Sequence, residues 1–192
     1  MREIESKKDI EKRRRKNQII IGGILIVVML GSTFGYAIST LNRNNNPDSE
    51  NVVYNGYEFV SSNGFWALAI GDYDFLFRYN PTEVEKSDSE LDYISAYSGK
   101  PLYVYYENDA AFVEINRNMG NVVQRFQGAC LQEEGCPENW PIRDCSNNFV
   151  IIKETNESKI HKQDSCTFIE GPRENLTQTA DEFLFKIIGI EG

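Results

Sequence analysis

Cys130, Cys136, Cys145 and Cys166 are the four cysteines of the chain, and three of them fall in one stretch, CLQEEGCPENWPIRDC, at 130–145. Thiols at that density hold a metal, run a redox cycle or form disulfides. Zinc sites draw their ligands as close pairs, because adjacent turns must bring two thiolates to one ion. Here the intervals hold five, eight and twenty residues, so no such pair exists. A structural zinc stays as a lesser alternative, and neither a metal nor another cofactor is expected. A thioredoxin-type centre needs Cys-x-x-Cys, which is also missing. Disulfides remain, and an even cysteine count suits a compartment where they persist.

Other residues that could do chemistry are few. His161 is the single histidine, so any Ser-His-Asp or Cys-His system would depend on it. Its neighbours alternate in polarity, which reads as a half-exposed strand position. No Gly-x-Ser-x-Gly elbow, His-Glu-x-x-His pair or Gly-rich phosphate loop occurs. Glu107, Asn108 and Asp109 fall at a strand-to-helix junction, where oxygen ligands sometimes hold Ca²⁺ or Mg²⁺. Helix capping accounts for the same residues more simply. Asn156 and Asn175 open Asn-x-Ser/Thr sequons and are the candidate glycosylation sites.

The elements around these residues begin with QIIIGGILIVVMLGSTFGYAIST, residues 18–40, which carries no charge. About 20 apolar residues cross roughly 30 Å of hydrocarbon as a helix, so this segment is expected to be a transmembrane anchor with the lipid bilayer as its partner. Residues 1–17 are a basic segment that the positive-inside rule keeps in the cytoplasm. The rival, a signal peptide cleaved near Gly35-Tyr36-Ala37, fits less well because the basic region and the apolar run are both long. The Asn-rich residues 41–51 read as a linker, and 52–192 as an extracytoplasmic domain. Residues 1–18 hold eight basic and four acidic residues, so the rest of the chain carries −13 of the net −9. A domain that acidic repels phosphate backbones, and nucleic acid is not an expected partner.

Within the domain, YEFV (57–60), FWALAI (65–70) and YDFLFRY (73–79) alternate, and Asn63-Gly64 and Gly71-Asp72 are hairpin turns. They predict a three-stranded antiparallel meander over 52–79. Its stripe of Tyr73, Phe75, Phe77 and Tyr79 is most simply a buried face, with a carbohydrate platform as the functional alternative. PLYVYYE (101–107) reads as a strand. Phe112, Ile115, Met119, Val122, Val123, Phe126 and Cys130 recur at helical spacing and predict one helix over 108–132, capped by Asn108 or Asp109, with Cys130 in its last turn. NFVIIK (148–153) and KIHKQDSCTFIEG (159–171) read as the two strands of a hairpin. A last helix over 179–190 has a capping box in Thr179 and Glu182.

The fold class is therefore α+β (mixed α/β): a β-meander, then βαββα, with helices packed on a mixed sheet. If the hairpin turns near Asn156, Cys145 lies almost opposite Cys166, and Cys130 with Cys136 closes a short loop. The expected disulfides are thus Cys145–Cys166 and Cys130–Cys136.

The anchor together with YNGYEFV, GFWALAIGDYDFLFRYNPTEV, ACLQEEGCPENWPIRDC, DSCTFIEG and DEFLFKIIGI resembles small, uncharacterised membrane-anchored proteins of archaeal genomes. The resemblance implies an external, disulfide-stabilised domain and carries over no functional residue. The expectation is a single-pass cell-membrane protein whose outer domain is a structural or interaction module with a protein partner. The rivals are a thiol–disulfide or other envelope enzyme with a thioredoxin-like core, and an accessory subunit of a membrane complex that docks through Gly22-Gly23 and Gly31/Ser32/Gly35.

Overall fold

A computed structural model describes residues 51–190; the expected anchor at 18–40 and the basic segment lie outside them. Among the described residues no helix is long and apolar enough to cross a membrane. The chain from 51 to 190 is α+β, with two helices and two sheets.

The first sheet is a meander of four strands rather than three: β1 (Asn51–Tyr54), β2 (Tyr57–Ser62), β3 (Phe65–Ile70) and β4 (Tyr73–Phe77). The added strand is NVVY, turned into β2 by Asn55-Gly56 with φ of 48° and 85°. Positive φ at both positions gives a turn whose twist matches the strands, and Asn-Gly tolerates it. Phe59, Leu68, Phe75 and Phe77 are buried, while Tyr73 is exposed, so the aromatic stripe is core only in its middle.

The second sheet contains β5 (Pro101–Tyr106), β6 (Arg125–Gly128), β7 (Phe149–Glu154), β8 (Lys159–Gln163) and β9 (Cys166–Gly171), in the order β6-β5-β7-β9-β8. All neighbours are parallel except β8 with β9. The hairpin expectation is corrected here. Asp164, at φ 53°, breaks 159–171 into two strands that pair with each other, and β9 lies parallel to β7. Polarity explains the order. The β8 sequence KIHKQ suits an edge exposed to water, whereas Thr167 and Ile169 of β9 are buried between neighbours.

The helix α1 (Asp109–Met119) is half the expected length. Gly120 ends it, Val122 and Val123 stay buried in a turn, and residues 125–128 become β6 alongside β5. Apolar spacing carried past the helix because those residues face the core in either conformation. Cys130 accordingly follows a strand, where it bridges to Ile142. The helix α2 (Leu176–Ile187) starts three residues earlier than expected, and Thr179 with Glu182 is not a capping box. The Thr179 hydroxyl donates to the Asn175 carbonyl at 3.1 Å, inside the helix.

Both helices lie in the layer between the two sheets. Phe185 of α2 meets Phe59 and Phe77 of the meander at 5.8 and 4.6 Å between ring centroids. Phe183 meets Tyr97, beyond the 3₁₀ turn Ile94–Ala96, edge to face. A helix covered on both sides needs apolar residues nearly all round, which FLFKI supplies.

One polar contact fixes the meander to the helices. β4 is an edge strand, and Leu76 presents an N–H and a C=O away from β3. Asn118 of α1 accepts from the Leu76 N–H at 2.7 Å and donates to the Leu76 carbonyl at 3.0 Å. Its amide thus replaces a missing strand neighbour. Asn118→Ala should leave the half-buried Leu76 N–H unpaired and its carbonyl with only the 3.5 Å contact from Arg117, lowering stability by about 1–3 kcal/mol; urea unfolding of the purified chain measures it.

Candidate functional site

Both disulfides are formed, Cys130–Cys136 and Cys145–Cys166, and no described cysteine is free. The pairing is the expected one, but the reason differs. Cys145 is not on a strand facing Cys166. It precedes β7 in a loop, where its carbonyl accepts from the Ser165 N–H at 3.0 Å, and the bond ties that loop to the first residue of β9. Cα atoms 4.9 Å apart allow the bridge without a paired-strand register.

Cys145–Cys166 ties residues 129–148 to the sheet face away from the helices, and Cys130–Cys136 closes a turn within that loop. Tyr103, Ala129, Phe149, Ile151 and Cys166 are buried there. The same loop covers the open side of β6. Trp140 lies so close over Gly128 that a Cβ would fall 2.5 Å from the indole, so only glycine fits. A shallow hollow of about 440 Å³ opens beside Tyr103, Ile142, Arg143 and Asn147. Hydrogen bonding from Arg143 and Arg125 holds the Tyr103 phenol below its ordinary range.

Glu107 and Asn108 are committed to backbone groups. Glu107 accepts from the Glu154 N–H at 2.9 Å, joining the ends of β5 and β7. Asn108 caps α1 by accepting from the Ala111 N–H at 3.1 Å, and Asp109 occupies the first turn. His161 stacks on Phe168 with centroids 4.7 Å apart, and its Nδ1 is 3.8 Å from Glu170, beyond hydrogen-bond reach. Asn156 is exposed between β7 and β8; Asn175 is half-buried at the N-cap of α2. Among the described residues no group of three or more His, Cys, Asp or Glu is placed to hold a metal.

The polar groups that the structure does concentrate come from the helices. Glu114, Asn118, Asp181 and Glu182 are each at most 4% exposed. Asp181 accepts from the Tyr79 N–H at 2.8 Å, next along the chain from the Leu76 contact. Its other oxygen, Oδ1, has no partner. Burial, then the neighbouring Glu114 charge, pushes Asp181 well above the carboxylate range. Burial raises Glu114 as well, opposed by Arg117, which reaches its two oxygens at 3.1 and 2.9 Å. Burial and the facing Glu114 charge both favour the protonated form of Asp181.

Glu182 points the other way, to the segment 83–92 that follows the meander. Its Oε1 accepts from the Ser87 N–H and hydroxyl at 2.7 and 2.9 Å. Gln178 donates to the Glu83 carbonyl, Lys186 to the Ser89 carbonyl, and Lys162 pairs with Asp92 at 2.7 Å. The strap so formed roofs a cavity of about 500 Å³, walled by α2 and β8. None of these helix carboxylates was picked out from sequence as a site. The available signal was DEFLFKII, where two acids adjoin an apolar run too dense for one helix face.

Compared with known proteins, the chain matches no family profile, no curated protein and no solved structure.

The Asp181 proton makes a pH prediction. A carboxyl whose folded pKa is raised contributes stability below its unfolded value, and loses it as pH rises through the folded value. Wild type should therefore gain thermal stability as pH is lowered from neutral towards the ordinary carboxylate range. Asp181→Asn keeps the acceptor for Tyr79 and removes the buried charge beside Glu114. It should raise Tm at neutral pH and flatten the dependence, as scanning calorimetry across that range will show.

Proposed function

We propose that the chain is a single-pass membrane protein whose domain, 52–192, faces outward as an interaction module. Residues 18–40 are the anchor, 1–17 remain cytoplasmic and 41–51 lift the domain from the bilayer. The observation that carries this reading is the use of the cysteines. All four are spent in two bonds, one closing a turn within a loop and one tying that loop to a strand of the sheet it covers. Such bonds persist in an oxidising compartment, which agrees with the uncharged span and its basic flank. The resemblance to membrane-anchored archaeal proteins points the same way.

A thiol–disulfide enzyme with a thioredoxin-like core is the weaker reading. A thioredoxin-type centre needs a Cys-x-x-Cys pair, whereas these bonds join Cys130 to Cys136 and Cys145 to Cys166, with Cys130 and Cys166 buried and their partners half-buried. On the outward reading Asn156, exposed in its loop, is the accessible glycan acceptor.

Protease added to intact cells should remove the domain and spare the N-terminus. Alkylation without reductant should label no cysteine, and peptide mapping should recover both pairs. A domain protected from external protease, or carrying reactive thiols, would refute the proposal. Replacing Cys145–Cys166 by alanines should cost about 3 kcal/mol, and Cys130–Cys136 about 2 kcal/mol, because the first closes the longer loop; denaturant titration separates them.

A further inference from the structure

Each sheet has two edges, and three of these edges are closed to a further strand. β4 is capped by Asn118 and Asp181, and β6 is covered by the loop that places Trp140 over Gly128. β8, KIHKQ, carries the exposed Lys159 and Lys162, charges that deter an added strand. The remaining edge has no such protection. β1, NVVY, holds no charge, no proline and no bulge.

Which backbone groups β1 turns outward follows from its turn. Asn55-Gly56 makes Tyr54 and Tyr57 a hydrogen-bonded pair, and such pairs alternate along an antiparallel ladder. Val52 therefore bonds to Phe59, while Asn51 and Val53 point their N–H and C=O away from β2. Among the described residues no hydrogen bond reaches those groups. The Asn51 side chain is spent on Glu58, at 2.9 Å. Val53 is 70% exposed, the most open of the large apolar residues described. Lys86 lies over the Tyr54 ring, on the face of β1 that also carries Val52.

We propose that β1 pairs antiparallel with β1 of a second copy of the chain, joining two meanders into one continuous sheet. The strand is self-complementary. With Asn51 facing the second copy's Val53, every outward N–H meets an outward C=O, and Val52 faces its own equivalent on the two-fold axis. On the outer face each Val53 then lies between its own Glu58 and the second copy's Asn51, so no acidic side chain meets another. A ladder of four residues is a small interface and needs confinement. The preceding chain supplies it, and here the inference rests on the membrane-anchored reading. Residues 41–50 lead from the anchor directly into β1. The paired Asn51 residues start about 9 Å apart, and each linker reaches about 30 Å, so both anchors enter one bilayer. Copies tethered in this way meet at an effective concentration of about 1 mM.

The full chain carrying Val52→Cys is reconstituted into phosphatidylcholine vesicles and oxidised with copper phenanthroline, and non-reducing gels read the linked dimer. Facing residues of this pair have Cα atoms about 4.5 Å apart, within disulfide reach. The native cysteines are all bonded and do not compete. Most of the chain should link, whereas Asp74→Cys, exposed on the far strand β4, should link about 10-fold less. Val53→Pro removes the outward N–H and spares the bonds to β2, so it should keep Tm and reduce linking of Val52→Cys about 10-fold. Val53→Lys retains every backbone group, should reduce linking as well, and decides the matter if proline disrupts β1. Flotation with the vesicles reads the anchor separately. If the chain floats and Val52→Cys links no more than Asp74→Cys, the pairing is overturned and the anchored reading stands. If it does not float, the same variants are oxidised in solution at about 1 mM; selective linking of Val52→Cys there supports the pairing, and its absence overturns it. Linking that survives both Val53 substitutions also overturns it.

Discussion

The fold depends on how an edge strand is closed without a neighbouring strand. β4 and the residues after it have outward N–H and C=O groups, half-buried beneath the helices, that no strand pairs. Asn118 satisfies both Leu76 groups, and Asp181 takes the Tyr79 N–H. This is why polar side chains stand in the middle of the core. It also explains why they come from both helices, since β4 runs past α1 and on towards α2. The raised Asp181 carboxyl follows from the same constraint, because it is buried beside the Glu114 charge while Arg117 pairs with Glu114.

The opposite face of the second sheet solves a different problem. It has no helix over it, and a loop must cover apolar residues such as Phe149 and Ile151. A loop lacks the repeating backbone bonds that make a helix rigid, so covalent ties replace them. Cys145–Cys166 pins its end to β9, Cys130–Cys136 tightens its start, and Trp140 closes the β6 edge over Gly128. The disulfides and the buried carboxylates therefore stabilise separate faces, one by restricting the unfolded chain and the other by satisfying backbone groups.

Between these two systems the strap 83–92 is held almost entirely by side chains: Gln178, Glu182 and Lys186 of α2, and Lys162 of β8. Val84 and Leu91 pack its two ends against the core, and between them residues 85–90 stand over the cavity. A cavity there is a consequence of how the strap is attached, and Glu182 serves both the strap and the cavity.

The sequence by itself determined the local elements wherever pattern and punctuation agreed. Asn-Gly and Gly-Asp turns set the meander, PLYVYY and FVIIKE the central strands, and Asn108 the start of α1. It also fixed the class of cysteine chemistry, since intervals of five, eight and twenty residues leave no close pair of ligands. Tertiary structure alone decided what those patterns share with their alternatives. Residues 120–130 have apolar spacing that suits a helix or a turn and strand, and the open edge of β5 chose the second. Thr179 and Glu182 match a capping box, but packing between two sheets moved the helix start to Leu176 and turned Glu182 towards Ser87. The order β7-β9-β8, and with it the real route to Cys145–Cys166, depended on which strand could be buried on both sides. Periodicity records which residues are buried; which partner buries them is a property of the assembled chain.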